Sequence, residues 1–360
     1  VRYLFIVQSE GRGHLTQAIS LSRILRENGH QVAHTLIGSS KNRVIPSYFF
    51  DKIGSEVSLF DTPALITDNR NRKIRVGASV FCNMLKMSTY LQSLKQIHQT
   101  VQSIKPDVIV NFCEIMGGLY FFRYRPNIQH ICLAHHFLIS HPNFRFPLKG
   151  KTWHKYMLLL NNKITSFAAQ KIIALSFRPE IDLPAKKLFI APPLLRSEVF
   201  DKEPVNGDFT LGYIVYSGYA DDVKRCYTNG SNVKSVFFWN KNDVASELVV
   251  NEHLTFCTLH DEKFLDLMAS CRTYVCSAGF ESVCEAAYLQ KPVMVIPTEE
   301  HYEQMCNAED AMRTGVAVSC NEFNMNKLQL YAANFSGNLQ WFRNWVDSAS
   351  DRYLELLTNQ

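Results

Sequence analysis

Two clusters of polar residues, far apart in the chain, have the types and spacing to hold a phosphorylated sugar. The first is Ser277-Ala278-Gly279-Phe280-Glu281-Ser282, followed by Glu285. Gly279 has no Cβ, so an anion can approach free backbone N–H groups at the start of the next helix. A helix N-terminus also attracts negative charge through its dipole. Ser282 falls in the first turn and can donate its hydroxyl to a phosphate oxygen. Glu285 lies one turn further on the same face. Its carboxylate has two acceptor oxygens and no donor, which suits the cis-diol of a ribose. Downstream, Glu303-Gln304 pairs an acid with an amide and matches the mixed donors and acceptors of a hexose. The plainer reading of these residues is a strand–helix corner with a surface glutamate, then a capped helix start.

The second cluster is Glu10-Gly11-Arg12-Gly13-His14. Gly11 and Gly13 let the loop pass close to a ligand. His14 falls at a helix N-terminus, where the dipole disfavours the protonated ring and keeps a neutral base available. Alone, it reads as an ordinary polar residue at a helix start; its place at the carboxyl end of the first strand is what marks it as a site residue. Glu114, just past the strand Val108–Asn111, is placed to orient His14 or to bind acceptor hydroxyls, or is simply a loop carboxylate. His135, His136 and His141 follow another strand end. They lack a carboxylate or cysteine at metal spacing, so the expectation is a structural or acceptor-lining role and no metal.

The elements that must position these residues alternate between strand and helix. Arg2–Val7 is an apolar run typical of a strand buried on both faces. Leu15, Ala18, Ile19, Ser22 and Leu25 then repeat at helical spacing up to Asn28-Gly29, a stop signal. Gln31–Ile37 returns as a strand, giving a right-handed βαβ unit. Further strands are predicted at Val57–Phe60, Ile128–Ala134 and Lys171–Ala174, the last of this half. Helices are predicted within Ala78–Ile104 and Trp153–Ala169. Pro179, Pro184, Pro192, Pro193 and Pro204 and Asn206-Gly207 mark a linker around Ala191–Gly207. The second half opens with Phe209–Tyr216 and continues through strands at Ser235–Trp239, Leu254–Cys257, Arg272–Cys276 and Pro292–Ile296. The domain expectation is 1–195, 205–338 and a tail helix over 339–360.

Composition narrows the function classes. The 360 residues are too many for one ordinary core. The net charge of +5 permits an anionic substrate or membrane surface and does not argue for nucleic acid. Ten cysteines without a CxxC pair fit free thiols in a reducing compartment. No run approaches ~18 apolar residues, and the N-terminus reads as a first core strand rather than a signal peptide. The expectation is a cytoplasmic protein. The basic, apolar segment Trp153–Leu160 reads as an ordinary amphipathic core helix, or as a surface helix touching anionic lipid at the inner face of the membrane.

Gly13-His14-Leu-Thr-Gln-Ala-Ile, with Leu-Arg-Glu-Asn-Gly29-His30-Gln-Val, resembles the amino-terminal signature of GT-B-fold glycosyltransferases. These include the UDP-glucuronosyl/glucosyltransferases and the lipid-II-forming N-acetylglucosaminyltransferase. Ser277-Ala-Gly279, Glu285-Ala-Ala, Lys291-Pro292, Ile296-Pro297 and Gln304-x-x-Asn307-Ala308 are similar to their donor signature, in the same order. The resemblance implies an α/β, GT-B fold of two Rossmann-like domains with parallel sheets facing across a cleft. It implies an inverting glycosyltransferase that uses a nucleotide-diphosphate sugar, UDP-linked, with no cofactor. Metal independence is consistent with the lack of an Asp-x-Asp motif.

The expected donor site is Gly13, Ser277, Gly279, Phe280, Ser282, Glu285, Glu303 and Gln304; the resemblance places His14 at the general-base position, and Glu114 joins it as a catalytic candidate from its place after the strand Val108–Asn111. The tail helix would cross back to the first domain. The acceptor would be a sugar, a lipid-linked glycan or a small molecule, in a setting such as cell-envelope polysaccharide synthesis. Ser277 departs from a histidine in the plant and animal branch. Glu281 stands where relatives have a neutral phosphate contact, and its carboxylate would repel a diphosphate unless it turns away or is neutralised. Two other readings remain at this point: a sugar-nucleotide 2-epimerase, or a silent sugar-nucleotide-binding partner of a membrane enzyme.

Overall fold

A computed structural model describes residues 1–40, 45–68, 75–148, 150–228, 230–241 and 245–358. The basic residues Arg70, Arg72, Lys73 and Lys149 lie outside them.

The first half begins with β1 (Arg2–Gln8), α1 (Gly13–Glu27), β2 (Gln31–Ser39), α2 (Ser47–Lys52) and β3 (Glu56–Asp61). It continues with α3 (Val76–Met84), α4 (Met87–Ile104), β4 (Val108–Phe112), α5 (Ile115–Tyr124), β5 (Gln129–Ala134), α6 (Thr152–Thr165), β6 (Lys171–Leu175) and β7 (Leu188–Ala191). All its strand pairs are parallel, in the order β3-β2-β1-β4-β5-β6-β7. β1 lies centrally, and Tyr3 to Val7 are fully buried. That explains its unbroken apolar run, because helices cover both faces of a parallel sheet. α1 ends where Gly29 takes a positive φ of 79° and the His30 N–H returns to the Leu25 carbonyl at 2.9 Å.

The second half runs β8 (Thr210–Ile214), α7 (Ala220–Thr228), β9 (Ser235–Trp239), β10 (Glu247–Asn251), β11 (Leu254–Thr258), α8 (Asp261–Ser270) and β12 (Thr273–Cys276). α9 (Phe280–Tyr288), β13 (Val293–Val295), α10 (Tyr302–Thr314), β14 (Val318–Ser319) and α11 (Met325–Ala333) follow. Its order is β10-β11-β9-β8-β12-β13-β14, parallel except for the edge strand β10. Three strands depart from the sequence reading. β7, not β6, is the last strand of the first sheet, and β10 and β14 were unforeseen.

The tail is two helices, α12 (Gln340–Asp347) and α13 (Ala349–Thr358), rather than one. α12 leans on α9: Arg343 Nε donates to the Tyr288 carbonyl at 2.6 Å. α13 lies against the first sheet. Tyr353 donates to the Pro192 carbonyl at 2.8 Å, Tyr3 to the Leu357 carbonyl at 3.1 Å and Lys171 to the Leu356 carbonyl at 2.6 Å. One apolar core runs continuously from the first sheet through Leu194, Leu195 and Val199 into the second.

Candidate functional site

The carboxyl ends of β1 and β12 each open into a turn, and the helices after them, α1 and α9, meet near their N-termini. A Cβ on Gly13 would lie 2.9 Å from Glu281 Cγ, so the approach depends on a glycine there. His14 Nδ1 is 3.1 Å from Gln17 Oε1, and Gln17 Nε2 donates to Glu281 Oε1 at 2.5 Å. Burial, helped by the neighbouring His136, lowers the His14 pKa to about 4 against the pull of Glu303 and the Gln17 bond. The ring is therefore neutral near pH 7 and can accept a proton.

Glu281 resolves the repulsion expected from its charge. Burial, reinforced by Glu285, pushes its pKa up to about 8, over the opposing Gln17 bond and Arg196. It is mostly a neutral acid at pH 7, and its Oε2 is buried without a partner.

Gly279 caps α9 with φ −82°, and a Cβ there would meet nothing closer than 3.7 Å. Asn307 Nδ2 fastens this turn by donating to the Ala278 carbonyl at 3.0 Å. Ser277 is buried, and its hydroxyl accepts from the Val215 N–H at 3.4 Å. Phe280 stacks on His135 with centroids 3.9 Å apart and an interplanar angle of 14°, and touches Phe177 at 4.7 Å. First-half side chains thus fill the space beside the start of α9.

Glu303, in the first turn of α10, faces a group of histidines. Burial opposes its charge, but His136, His301, His14 and His135 hold its pKa below the ordinary value. Its Oε2 is 3.9 Å from His136 Nδ1, and the His14 and His136 rings are 6.2 Å apart. Burial also lowers His135, to about 4, together with His136 and His301. Among the described residues no cluster has the geometry to hold a metal ion.

Several expected roles change. Glu114 does not hold His14. It caps α5, accepting from Met116 N at 3.1 Å and Thr62 Oγ1 at 2.5 Å, and is fully buried beneath β2 and β4. Burial raises its pKa to about 7 over those two bonds. Glu285 is no free carboxylate: Arg196 of the linker grips both oxygens, Nε to Oε1 at 2.6 Å and Nη2 to Oε2 at 2.8 Å. Gln304 is turned to its own loop, accepting from Thr298 N at 2.8 Å. Ser282 sits beside Tyr274 and Cys276. His141 anchors a loop through the Ile181 carbonyl at 3.0 Å. The sequence reading overlooked Gln17, Arg196 and His301. Gln17 was detectable as the residue one helical turn past His14. His301 was detectable as the cap three residues before Gln304, whose N–H it accepts at 3.4 Å.

Two Rossmann-like sheets whose carboxyl ends meet over a histidine and a glycine-capped helix start define a GT-B-fold glycosyltransferase. The model of Glycosyl transferase family 1 matches residues 1–335, and the chain belongs to that family. A search of curated proteins gives no match. Among solved structures, the chain is similar to Phytolacca americana UGT2 complexed with UDP-2-fluoro-glucose and pterostilbene. Identity there is 14% over 99% of this chain and 98% of that chain, with a TM-score of 0.65. It is also similar to Acinetobacter baumannii MurG, at 14% identity over 100% and 99% of the two chains and a TM-score of 0.56. The spinosyn rhamnosyltransferase SpnG complexed with thymidine diphosphate covers 100% of both chains at 12% identity, with a TM-score of 0.57.

Proposed function

We propose that this glycosyltransferase moves a sugar from a nucleotide-diphosphate donor, UDP-linked, to an acceptor hydroxyl with inversion and without a metal. The observation that carries the reading is the neutral His14 at the start of α1. Its Nδ1 is engaged by Gln17, and it stands across from the Gly279 helix start and beside Glu303. In the reaction, the acceptor oxygen attacks the anomeric carbon on the face opposite the diphosphate. The carbon–oxygen bond to the diphosphate breaks, its electron pair staying on the leaving oxygen. His14 Nε2 takes the hydroxyl proton. Backbone N–H groups of the Gly279 turn receive the leaving charge. A ribose at Glu285 requires Arg196 to release at least one of its two bonds, and the Phe280–His135 stack must part to admit the sugar.

His14→Ala should lower the transfer rate roughly tenfold or more while leaving nucleotide affinity nearly intact. Full activity in that variant removes His14 from the mechanism. Incubation with the sugar nucleotide alone also separates transferase from epimerase, which would form an isomeric sugar nucleotide without acceptor.

The acceptor side supports an amphiphilic acceptor, a lipid-linked glycan or an apolar small molecule, with peripheral contact at the inner membrane face. Phe81, Met84, Leu85 and Met87 on and after α3 are all more than half exposed. No helix among the described residues is long and apolar enough to cross a membrane.

A further inference from the structure

Gln17 belongs to the first half and Glu281 to the second, yet one amide joins them to His14. A glutamine side chain has a donor end and an acceptor end, and the two are interchangeable by rotation. Here Glu281 Oε1 accepts from Gln17 Nε2. The amide oxygen is left facing His14 Nδ1 at 3.1 Å and, having only lone pairs, can hydrogen-bond the ring there only if Nδ1 carries the hydrogen. The ring then carries its hydrogen on Nδ1, and Nε2 keeps the lone pair. Gly13 makes the contact possible, since any Cβ there would press on Glu281 Cγ.

We propose that Gln17 and Glu281 are positioning residues that form a clasp between the two halves and set His14 as the Nδ1–H tautomer only while α9 rests against α1. The proposal rests on His14 being the base of the transfer proposed above. When the halves part, Gln17 loses the oxygen that orients it, its amide turns freely, and the ring samples both tautomers. The base nitrogen is thus prepared by closure of the donor half and not by the first half alone. A carboxylate beside the ring would set the tautomer without help from the other half; a neutral amide cannot. Glu281 supplies the direction through Oε1: with its acid proton on the unpartnered Oε2, Oε1 is a carbonyl oxygen that can only accept from Gln17.

The clasp can be read without turnover. In the full chain with histidine labelled by 15N and UDP added, the His14 ring should give the Nδ1–H pattern, assigned by its loss in His14→Gln. Gln17→Leu and Glu281→Leu should each shift it to a mixture of tautomers. An Nε2–H ring in the wild type, or an unchanged ring in Glu281→Leu, overturns the clasp whatever the reaction proves to be.

Kinetics with a UDP-sugar give the second test. Gln17→Leu and Glu281→Leu should each lower kcat about tenfold with the donor KM within about threefold. The double variant should be no slower than either single one, because both remove the same connection. Glu281→Gln, which keeps an acceptor oxygen for Gln17, should recover most of what Glu281→Leu loses. Additive losses, or loss in KM alone, overturn the clasp. Full activity in His14→Ala with the tautomer result intact would instead overturn the base assignment and leave the clasp standing.

Discussion

Gly279 shows how a single residue separates binding from folding. Its φ of −82° suits any amino acid, and a Cβ there would make only ordinary contacts at 3.7 and 4.0 Å. The fold therefore does not require glycine at this position; the diphosphate proposed at this helix start would. Gly279→Ala should change Tm by no more than about 2 °C. It should weaken nucleotide binding roughly tenfold, as measured by titration calorimetry. An affinity equal to that of the wild type would move the diphosphate away from this turn. The residue types at the site were readable because each carried its own chemistry: a glycine at a helix start, a histidine at another, a carboxylate one turn on. Their partners were not readable. Nothing in the spacing of Glu285 shows that Arg196, 89 positions earlier, holds both of its oxygens. Glu114 appeared accessible because it follows a strand, but its side chain turns inward to cap α5.

At the scale of elements, the sequence reading succeeded where one physical signal dominated. β1, α1 and β2 stood out through an unbroken apolar run, a helical repeat and a glycine stop. β7 was hidden by the prolines on both sides of it, which marked a linker. β10 is exposed along its whole length and pairs antiparallel at the sheet edge, so burial wrote no pattern into it. α6, read either as an amphipathic core helix or as a lipid-touching surface helix, has two faces: it buries His154, Asn162 and Thr165, packs Leu158 and Leu159 against a small core cluster, and leaves Trp153, Tyr156 and Leu160 exposed. Its exposed aromatic and apolar residues, with Lys155 and Lys163 on the same helix, and separately the exposed apolar end of α3, are what the proposed lipid contact would use. The protein should sediment with phosphatidylglycerol vesicles, and Phe81→Ser with Leu85→Ser should weaken this about tenfold or more. Equal sedimentation of the double variant, or no preference over phosphatidylcholine, would leave the membrane contact without support.

For the whole molecule, the buried acids set a pH dependence. Chiefly through burial, Glu114 and Asp310 are raised to about 7 and Glu281 to about 8, from ordinary values of 4.5 for Glu and 3.8 for Asp. Between those limits the folded chain keeps protons that the unfolded chain has released, so stability falls as pH rises. His14, His130 and His135, lowered mainly by burial to about 4, act in the opposite sense below their ordinary 6.5. There the unfolded chain binds more protons, and stability falls as pH drops. Above 6.5 the acids prevail among these groups. Tm should decline between pH 6.5 and about 8.5, and Glu281→Gln should flatten that decline. A Tm that rises across this window would mean these acids are ionised in the folded protein.

The bond from Tyr3 to the Leu357 carbonyl joins residues 354 positions apart. On the ribosome, the first sheet leaves the exit tunnel long before the helix that covers it. At ordinary elongation rates the delay from β7 to α13 is on the order of ten seconds. Throughout that interval the nascent first half shows an uncovered apolar strip where Tyr353, Leu356 and Leu357 will later lie. The amino-terminal half is thus completed only after the second half and α13 have been made, so slower translation lengthens the time that strip stays open.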